Sequence, residues 1–241
     1  IYLLLQITYF KLLTSNYLLQ IAYSLNMNAF EEQHVLQPYN SISAHFKQTR
    51  VYLWPSAKAF LDTIQPYELV ADIGCGNGRG IKEYPFISIG CDICLPNLIE
   101  ASTQLSGVVR GNAIHLPYRT NQFDKLISIA VIHHLSSKER RKQAIQELVR
   151  IVKPTGKLFI QVWALEQPTD SRRKFIDQDN MVSWILQKKY TKDKLKDETY
   201  HRFYHVFKKG ELEDLCNLLN ITIEKSFYEK GNWCIILKKT F

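Results

Sequence analysis

The chain has 241 residues, of which 46% are hydrophobic and 22% are charged, and its formal net charge is +8. This composition suits one globular domain with a sizeable core, and no repeat or low-complexity run interrupts it, which excludes fibrous and disordered classes. The five cysteines, an odd number, argue against a disulfide scaffold and indicate a reducing compartment, for which we expect the cytoplasm or the nucleus.

Residues 1–26 precede the first methionine, Met27, and form an apolar stretch broken by polar side chains. A membrane span needs about 20 mainly apolar residues, and residues such as Lys11 and Asn16 interrupt this stretch. It also lacks the basic start and the small-residue cleavage site of a signal peptide. We therefore expect no membrane partner, interpret residues 1–26 as a non-native or translated leader, and expect one domain over residues 27–241.

The first predicted strand runs into a glycine-rich turn that reads Asp-Ile-Gly-Cys-Gly-Asn-Gly over residues 72–78. Glycines allow a tight turn and a close approach of a ligand to the backbone. Asp92 follows 20 residues after Asp72, at the end of a second predicted strand, where its carboxylate can accept both hydroxyls of a ribose. An acidic residue two positions before the first glycine is typical of class I S-adenosylmethionine-dependent methyltransferases rather than of dinucleotide-binding domains.

Further predicted elements follow in the order that this class requires. Residues 111–113 close a third strand, where such enzymes contact adenine, and residues 123–130 form a fourth strand. A helix over residues 138–150 leads to a turn at residues 153–157 and a fifth strand at residues 158–163. Strands that alternate with helices indicate a mostly parallel, doubly wound sheet. The predicted cofactor is S-adenosylmethionine, and the residues expected to bind it are Asp72, Gly74, Cys75, Gly76, Gly78, Asp92, Ile93, Asn112, Ala113 and Ala130.

The alternation stops at residues 166–207, which we interpret as a substrate-side insertion. Within residues 170–210, 11 Lys and Arg oppose 6 Asp and Glu and are interleaved with aromatic residues. This pattern suits phosphate contacts with stacking on an unpaired base, and a solvated basic face is an equally open interpretation. After a predicted helix at residues 209–219, runs at residues 221–227 and 232–237 predict an antiparallel hairpin. The expected fold is therefore α/β, a Rossmann-like class I methyltransferase with a seven-stranded, mostly parallel sheet and a C-terminal antiparallel hairpin.

Several motifs are more specific than the glycine turn. His-His follows the fourth predicted strand, Arg-Arg comes shortly after it, and Trp-Ala-Leu-Glu-Gln ends the fifth strand. These motifs occupy residues 130–136, 140–141 and 163–167, and residues 39–50 and 202–207 add to them. In these motifs the chain resembles the eukaryotic tRNA (carboxymethyluridine) O-methyltransferases that act on the wobble uridine, a domain that is also fused to AlkB-type dioxygenases in animals.

The resemblance implies methyl transfer from S-adenosylmethionine to the carboxylate of 5-carboxymethyluridine in the tRNA anticodon loop, which gives the methyl ester. It also implies a heterodimer with a small zinc-binding activator subunit. A carboxylate is ionised at neutral pH and needs no general base, so positioning should supply most of the catalysis. One cationic or donor side chain should hold the second carboxylate oxygen, and the candidates are His133, His134, Arg50, Arg202 and His205. The candidates for tRNA contact are Trp54, Arg140, Arg141, Trp163, Gln167, Arg172, Arg173 and Lys174, and no metal ligands are expected.

Two other functions stay open at the level of sequence. The first is a class I methyltransferase with a small-molecule or protein acceptor, because the fold does not specify the substrate. The second is a nonenzymatic binding module, against which the intact glycine turn argues. A packing role is the other interpretation for His133 and Trp163, as a solvated helix face is for Arg140 and Arg141.

Overall fold

The computed structural model describes residues 27–49, 53–191, 194, 196–217, 219 and 221–240. Residues 1–26, with the predicted leader, and Arg50, a predicted carboxylate contact, lie outside the described residues. Within the described ranges, no helix is long and apolar enough to cross a bilayer.

Nine strands and six α-helices are present in the described part of the chain. The strands are β1 (Leu69–Ile73), β2 (Ile87–Asp92), β3 (Gly107–Arg110), β4 (Phe123–Ile129), β5 (Val152–Trp163), β6 (Asp179–Leu186), β7 (Glu198–His205), β8 (Ile221–Glu229) and β9 (Asn232–Lys239). The helices are α1 (Ala29–Glu31), α2 (Gln37–Thr49), α3 (Pro55–Leu61), α4 (Leu95–Ala101), α5 (Lys138–Ile151) and α6 (Glu211–Cys216). A π-helical segment, Glu32–Leu36, joins α1 to α2.

Seven of the strands form one sheet, in the order β3-β2-β1-β4-β5-β9-β8. Neighbours from β3 to β5 pair in parallel, whereas β9 is antiparallel to both β5 and β8. The expected seven-stranded, mostly parallel sheet with a C-terminal antiparallel hairpin is confirmed.

Helices cover both faces of this sheet, which explains why its inner strands β1 and β2 are buried along most of their length. Successive strand residues point to opposite faces, so Leu158 of β5 joins the core under α5 and α6. Its neighbour Phe159 joins the core under α3, where its ring centre lies 5.7 Å from that of Phe60. The result is the three-layer arrangement of α/β domains.

The predicted helix at residues 138–150 is confirmed as α5, which begins after Ser137 because the Ser137 side chain accepts a hydrogen bond from the N–H of Arg140. The helix predicted at residues 209–219 is shorter than expected. As α6, it begins at Glu211 because Gly210 precedes it with a left-handed φ of +86°.

The turn predicted at residues 153–157 lies inside β5 rather than before it. The strand begins at Val152, opposite Phe123, and its register then shifts before Lys157 pairs with Lys125. Thr155 has a φ of +65° in this irregular part. The predicted strand at residues 158–163 therefore pairs as expected, after an irregular start.

A separate two-stranded antiparallel sheet, β6 with β7, was not predicted from the sequence. It lies within the insertion at residues 166–207. Exposed and half-buried residues alternate along β6, as in a strand with one face in solvent. β7 packs against α2 and against a 3-10 turn, Ile132–His134, that follows β4. The insertion is therefore folded onto the carboxyl edge of the main sheet.

Candidate active site

A cavity of about 280 Å³ opens at the carboxyl ends of β1, β2 and β4. Parallel strands end together at this edge, so the loops that follow them form the cavity wall. The helical segment at residues 27–46, called the lid here, closes the opposite side. Its contributing residues are Met27, Glu31, Val35, Leu36, Tyr39 and Phe46.

The glycine turn brings backbone directly to the cavity. Gly74 has a φ of +79°, and a Cβ built on it would lie 2.0 Å from Cγ2 of Val131. Gly76 has a φ of +53° and its N–H donates to Oδ2 of Asp92 at 2.8 Å. The other Asp92 oxygen accepts the N–H of Cys94, also at 2.8 Å. These two bonds fix the carboxylate, and each oxygen keeps a lone pair that can accept a ribose hydroxyl.

Two buried carboxylates make this end of the cavity acidic. Burial, reinforced by the charge of Asp92, raises the pKa of Asp72 to about 7. Burial also raises the pKa of Asp92, although the N–H groups of Cys94 and Gly76 oppose the shift. A cationic ligand would favour the ionised form of both carboxylates.

These residues fit S-adenosylmethionine, whose sulfonium and ammonium are cationic and whose adenosine needs apolar contacts and a ribose acceptor. Asp72 and Asp92 supply the acceptors, and the cavity wall next to them is partly apolar at Ile93 and Ala113. All predicted cofactor residues line the cavity except Gly78, which packs instead against Ala101 and Leu105. The residues that line it as expected are Asp72, Gly74, Cys75, Gly76, Asp92, Ile93, Asn112, Ala113 and Ala130.

Two neighbouring histidines form the far wall of the cavity. The N–H of Trp163 donates to Nδ1 of the fully buried His133 at 3.1 Å, so the proton of the neutral ring lies on Nε2. Nδ1 of His134 lies 2.8 Å from the carbonyl oxygen of Phe203. Because a carbonyl oxygen can only accept a hydrogen bond, the neutral His134 ring carries its proton on Nδ1. The two rings meet edge to face with centres 4.5 Å apart. Hydrogen-bond partners thus assign opposite tautomers to the two rings.

Trp163 lines the same wall and is covered on both faces. The Tyr204 ring stacks on it with centres 4.2 Å apart and planes 12° apart. The guanidinium carbon of Arg173 lies 4.2 Å from its ring centre and covers the other face, because two groups at this distance cannot share one face. A base could stack on Trp163 only by displacing Arg173 or Tyr204.

The predicted carboxylate contacts Arg202 and His205 do not line the cavity. Arg202, 2% exposed, donates to the hydroxyl of Tyr39 at 3.1 Å and lies over aromatic rings. The ring nitrogens of His205 lie 2.6 Å from a carboxylate oxygen of Asp179 and 2.7 Å from one of Glu211. The expectation that either side chain holds the substrate is therefore corrected: both are bound to other groups behind the cavity wall.

Arg140 and Arg141 also make internal contacts instead of forming a basic surface patch. Arg140 binds the carboxylate of Glu31 in the lid, with Nε 2.7 Å from Oε1. Arg141 is 6% exposed and donates to the carbonyl oxygen of Leu135 at 2.9 Å. The expectation of tRNA contact is corrected for Arg141, because a buried guanidinium cannot reach a phosphate backbone.

Of the other candidates for tRNA contact, some line the cavity and others lie on the protein surface. Trp54 lines the cavity. Gln167 packs against Gly231 and donates to the carbonyl oxygens of Ala164 and Gly231 at 2.7 and 3.0 Å, so it braces two loops. Arg172 and Lys174 are exposed beside Arg173. Lys174 donates to the carbonyl oxygens of Pro168 and Thr169, each at 3.0 Å, and so holds its own loop together.

Glu31, Tyr39 and Tyr204 were not singled out from the sequence, although each lines the cavity. The hydroxyl of Tyr39 lies 3.0 Å from Nε2 of His134 and 3.1 Å from the hydroxyl of Tyr204. Tyr39 and Tyr204 do belong to the motifs at residues 39–50 and 202–207. Glu31 precedes all of these motifs, and no sequence signal marks it.

Comparison with known proteins agrees with this geometry. Residues 71–160 match the methyltransferase domain family. Over 225 residues the chain is 38% identical to the tRNA (carboxymethyluridine(34)-5-O)-methyltransferase of Schizosaccharomyces pombe, a match that covers 87% of this chain and 98% of that protein. This chain belongs to the tRNA (carboxymethyluridine(34)-5-O)-methyltransferase family. It is therefore an S-adenosylmethionine-dependent methyltransferase, as its cofactor cavity indicates.

Other relatives of this methyltransferase family are longer. The tRNA (carboxymethyluridine(34)-5-O)-methyltransferase alkbh8 of Xenopus tropicalis is 35% identical over 272 residues, and the match covers 89% of this chain but only 42% of that protein. Among solved structures, a chain of the complex between the Haloferax volcanii Trm112 methyltransferase activator and a methyltransferase aligns with a TM-score of 0.62. The alignment covers 86% of this chain and 98% of that chain at 14% identity, which shows a shared fold.

Proposed function

We propose that this methyltransferase transfers a methyl group from S-adenosylmethionine to the carboxylate of 5-carboxymethyluridine at the wobble position of tRNA, forming the methyl ester. The observation that carries this proposal is the match to the S. pombe enzyme of that name over 98% of its length. The cavity supports it, since one wall suits a cationic cofactor and the opposite wall presents hydrogen-bond donors.

The reaction requires positioning rather than proton transfer. S-Adenosylmethionine supplies an electrophilic methyl group on a sulfonium, which an ionised carboxylate oxygen can attack directly. The carboxylate is already ionised at neutral pH, so the protein needs no general base. Asp72 and Asp92 fix the cofactor wall, and the lid closes the cavity over it. Holding the acceptor at near-attack distance in this enclosed space then accounts for much of the rate.

His133 is the donor that we assign to the second carboxylate oxygen. It is fully buried, lines the cavity, and its neutral ring carries the proton on Nε2 because Nδ1 accepts from Trp163. A neutral donor orients the carboxylate without removing much of its negative charge. The contact with His133 by itself therefore leaves the attacking oxygen most of its nucleophilicity.

The insertion at residues 166–207 is the surface that we assign to the tRNA anticodon loop. It is folded onto the edge of the sheet where the cavity lies, and its basic side chains include the exposed Arg172, Lys174, Lys188 and Lys189. Phosphate contacts from such side chains supply affinity without reading sequence. A loop bound here would present one nucleotide to the cavity.

We further propose a small zinc-binding activator as a partner, as the family resemblance implies; the relative in fold from Haloferax volcanii was solved in complex with a methyltransferase activator. β3 forms an edge of the main sheet. Beside it, α4 exposes Leu95 by 44% and Ile99 by 63% of their surfaces. An open strand edge next to exposed apolar residues suits a protein partner. We place the reaction in the cytoplasm or the nucleus, which suits a chain whose five cysteines are free thiols.

The test is methyl transfer by the full chain, co-expressed with its zinc-binding activator, from labelled S-adenosylmethionine onto tRNA that carries 5-carboxymethyluridine. We expect label in a base-labile methyl ester of the wobble nucleoside. Asp92→Ala should lose both cofactor binding and transfer. Cofactor binding by the wild type without transfer to this tRNA would overturn the substrate assignment and leave the methyltransferase fold intact.

A further inference from the structure

Arg173 is a cation at the end of the cavity lined by His133, His134 and Trp163. This end, opposite Asp72 and Asp92, is called the acceptor end. It lies in the loop between β5 and β6, is exposed to solvent, and also lines the cavity. Its guanidinium carbon lies 4.2 Å from the ring centre of Trp163. The same Trp163 ring lies 5.4 Å from the ring of His133, measured between centres. Arg173 and the proposed carboxylate donor therefore flank one aromatic side chain.

The charges that line the cavity are unevenly placed. Among the described residues of the wall, Arg79 and Arg173 are the permanent cations. Arg79 follows the glycine turn directly, at the cofactor end. Of the acidic residues, Asp72 and Asp92 lie at the cofactor end, whereas Glu31 is bound by Arg140. Among the described residues that line the acceptor end, Arg173 is thus a permanent cation, and Glu31, bound by Arg140, is the carboxylate.

We propose that Arg173 recognises the carboxylate of the acceptor nucleotide and so selects 5-carboxymethyluridine over uncharged uridines. This inference rests on the proposed function. A guanidinium held over an aromatic ring can direct N–H donors past the edge of that ring. A planar fork held in this way matches a carboxylate better than a flexible ammonium does. Trp163, itself fixed by Tyr204, is the platform that orients it.

The reaction removes the charge that Arg173 recognises. A carboxylate oxygen forms a bond to the methyl carbon, and the carbon–sulfur bond breaks with its electron pair passing to sulfur. The negative carboxylate and the positive sulfonium become a neutral ester and a neutral thioether. The ion pair with Arg173 is therefore strongest in the bound substrate, weaker in the transition state and absent in the product. Such a contact lowers KM and favours release of the ester, and it does not raise kcat.

The experiment compares three tRNAs that carry 5-carboxymethyluridine, its uncharged amide, or plain uridine at the wobble position. Their affinities are measured for the full chain with its activator and S-adenosylhomocysteine, for wild type, Arg173→Met and Arg173→Lys. We expect the wild type to prefer the acid over the amide by about tenfold, the scale of one charge-assisted contact. In Arg173→Met this ratio should fall to about one, with the affinity for the amide unchanged; Arg173→Lys should restore part of it. In transfer assays, Arg173→Met should raise KM by about tenfold and leave kcat within about threefold.

The exposed neighbour provides the matched control: Arg172→Met should keep the acid preference. Unchanged affinity for S-adenosylhomocysteine will show that Arg173→Met is folded. Retention of the acid preference by Arg173→Met would overturn the inference, as would an equal loss of affinity for all three tRNAs, since that result indicates phosphate contact or support of Trp163. Failure of the proposed function would give a different result, because the wild type would then transfer no label to the tRNA that carries 5-carboxymethyluridine.

Discussion

Glu31 and Arg140 form an ion pair that ties the lid to the first turn of α5, across 109 residues of sequence. Nε of Arg140 lies 2.7 Å from Oε1 of Glu31, and the N–H and hydroxyl of Ser136 donate to the same oxygen at 2.8 and 2.9 Å. The Glu31 side chain is 1% exposed. A carboxylate buried this deeply depends on these donors, so closure of the lid depends on them as well.

Loss of this ion pair should destabilise the protein and open the lid. Arg140→Met leaves the buried carboxylate without its counter-ion, and we expect the free energy of unfolding to fall by about 3 kcal/mol. S-Adenosylhomocysteine should also dissociate faster. Denaturant unfolding and stopped-flow release measure the two effects. The double variant Glu31→Gln with Arg140→Met should recover much of the stability, whereas equal behaviour of Arg140→Met and the exposed control Lys138→Met would contradict this anchoring role.

Cofactor affinity should rise with pH up to about 7. Burial, with the charge of Asp92, raises the pKa of Asp72 to about 7, so much of the unliganded protein holds Asp72 protonated below that pH. A cationic cofactor favours the ionised carboxylate, and binding must then release a proton. Calorimetry in two buffers of different ionisation enthalpy measures this release. Asp72→Asn should bind more weakly, with little dependence on pH; a wild-type affinity that is flat across neutral pH would argue against the assignment.

The raised pKa of Asp72 also affects the stability of the unliganded protein, but in the opposite direction: the stability falls as the pH rises. Because the folded-state pKa of Asp72 is above its usual value, the folded protein binds the proton more tightly than the unfolded chain does. The stability that this provides is present at low pH and is lost as the pH rises from about 3.8 to about 7. Bound cofactor should offset that loss, which thermal unfolding with and without S-adenosylmethionine can measure.

Gly74 and Gly76 should respond differently to alanine. At Gly74 the new Cβ would lie 2.0 Å from Cγ2 of Val131, in addition to the strain of a φ of +79°. At Gly76 the nearest atom would be 3.7 Å away, so backbone strain alone, about 1 kcal/mol, is expected. Gly74→Ala should cost a further 1–3 kcal/mol, roughly the cost of overpacking. Val131→Ala in the Gly74→Ala background should recover part of the loss, and equal unfolding free energies for the two single variants would refute the steric explanation.

The sheet and the cofactor end were predictable because their signals are local. The turn at residues 72–78 and the apolar strands around it specify the backbone by themselves, and Asp92 follows at the expected spacing. The acceptor end was not predictable in the same way. Helical periodicity places Arg140 on the solvent side of α5, and only the fold brings Glu31 over it. Arg202 likewise turns away from the cavity because β6 and β7 pair as they do, which no local signal predicted.

Tyr39 is the second attachment of the lid, and its hydroxyl joins three partners at once. It lies 3.0 Å from Nε2 of His134, 3.1 Å from the hydroxyl of Tyr204 and 3.1 Å from Nη1 of Arg202. Tyr39→Phe removes these bonds but keeps the ring, so His134, Tyr204 and Arg202 each lose one hydrogen-bond partner. We expect a loss of about 1–3 kcal/mol in unfolding free energy. The exposed control, Tyr67→Phe, should change it by less than about 0.5 kcal/mol.

Combining the two lid variants tests whether both attachments act on the same closure. If Tyr39 and Arg140 hold one rigid lid, either single variant already permits opening, so Tyr39→Phe with Arg140→Met should speed S-adenosylhomocysteine release by less than the product of the single effects. Release rates from stopped-flow fluorescence give the coupling directly. Strictly multiplicative rates would show instead that the lid opens in two independent parts, hinged at the π-helical segment Glu32–Leu36 that separates Glu31 from Tyr39.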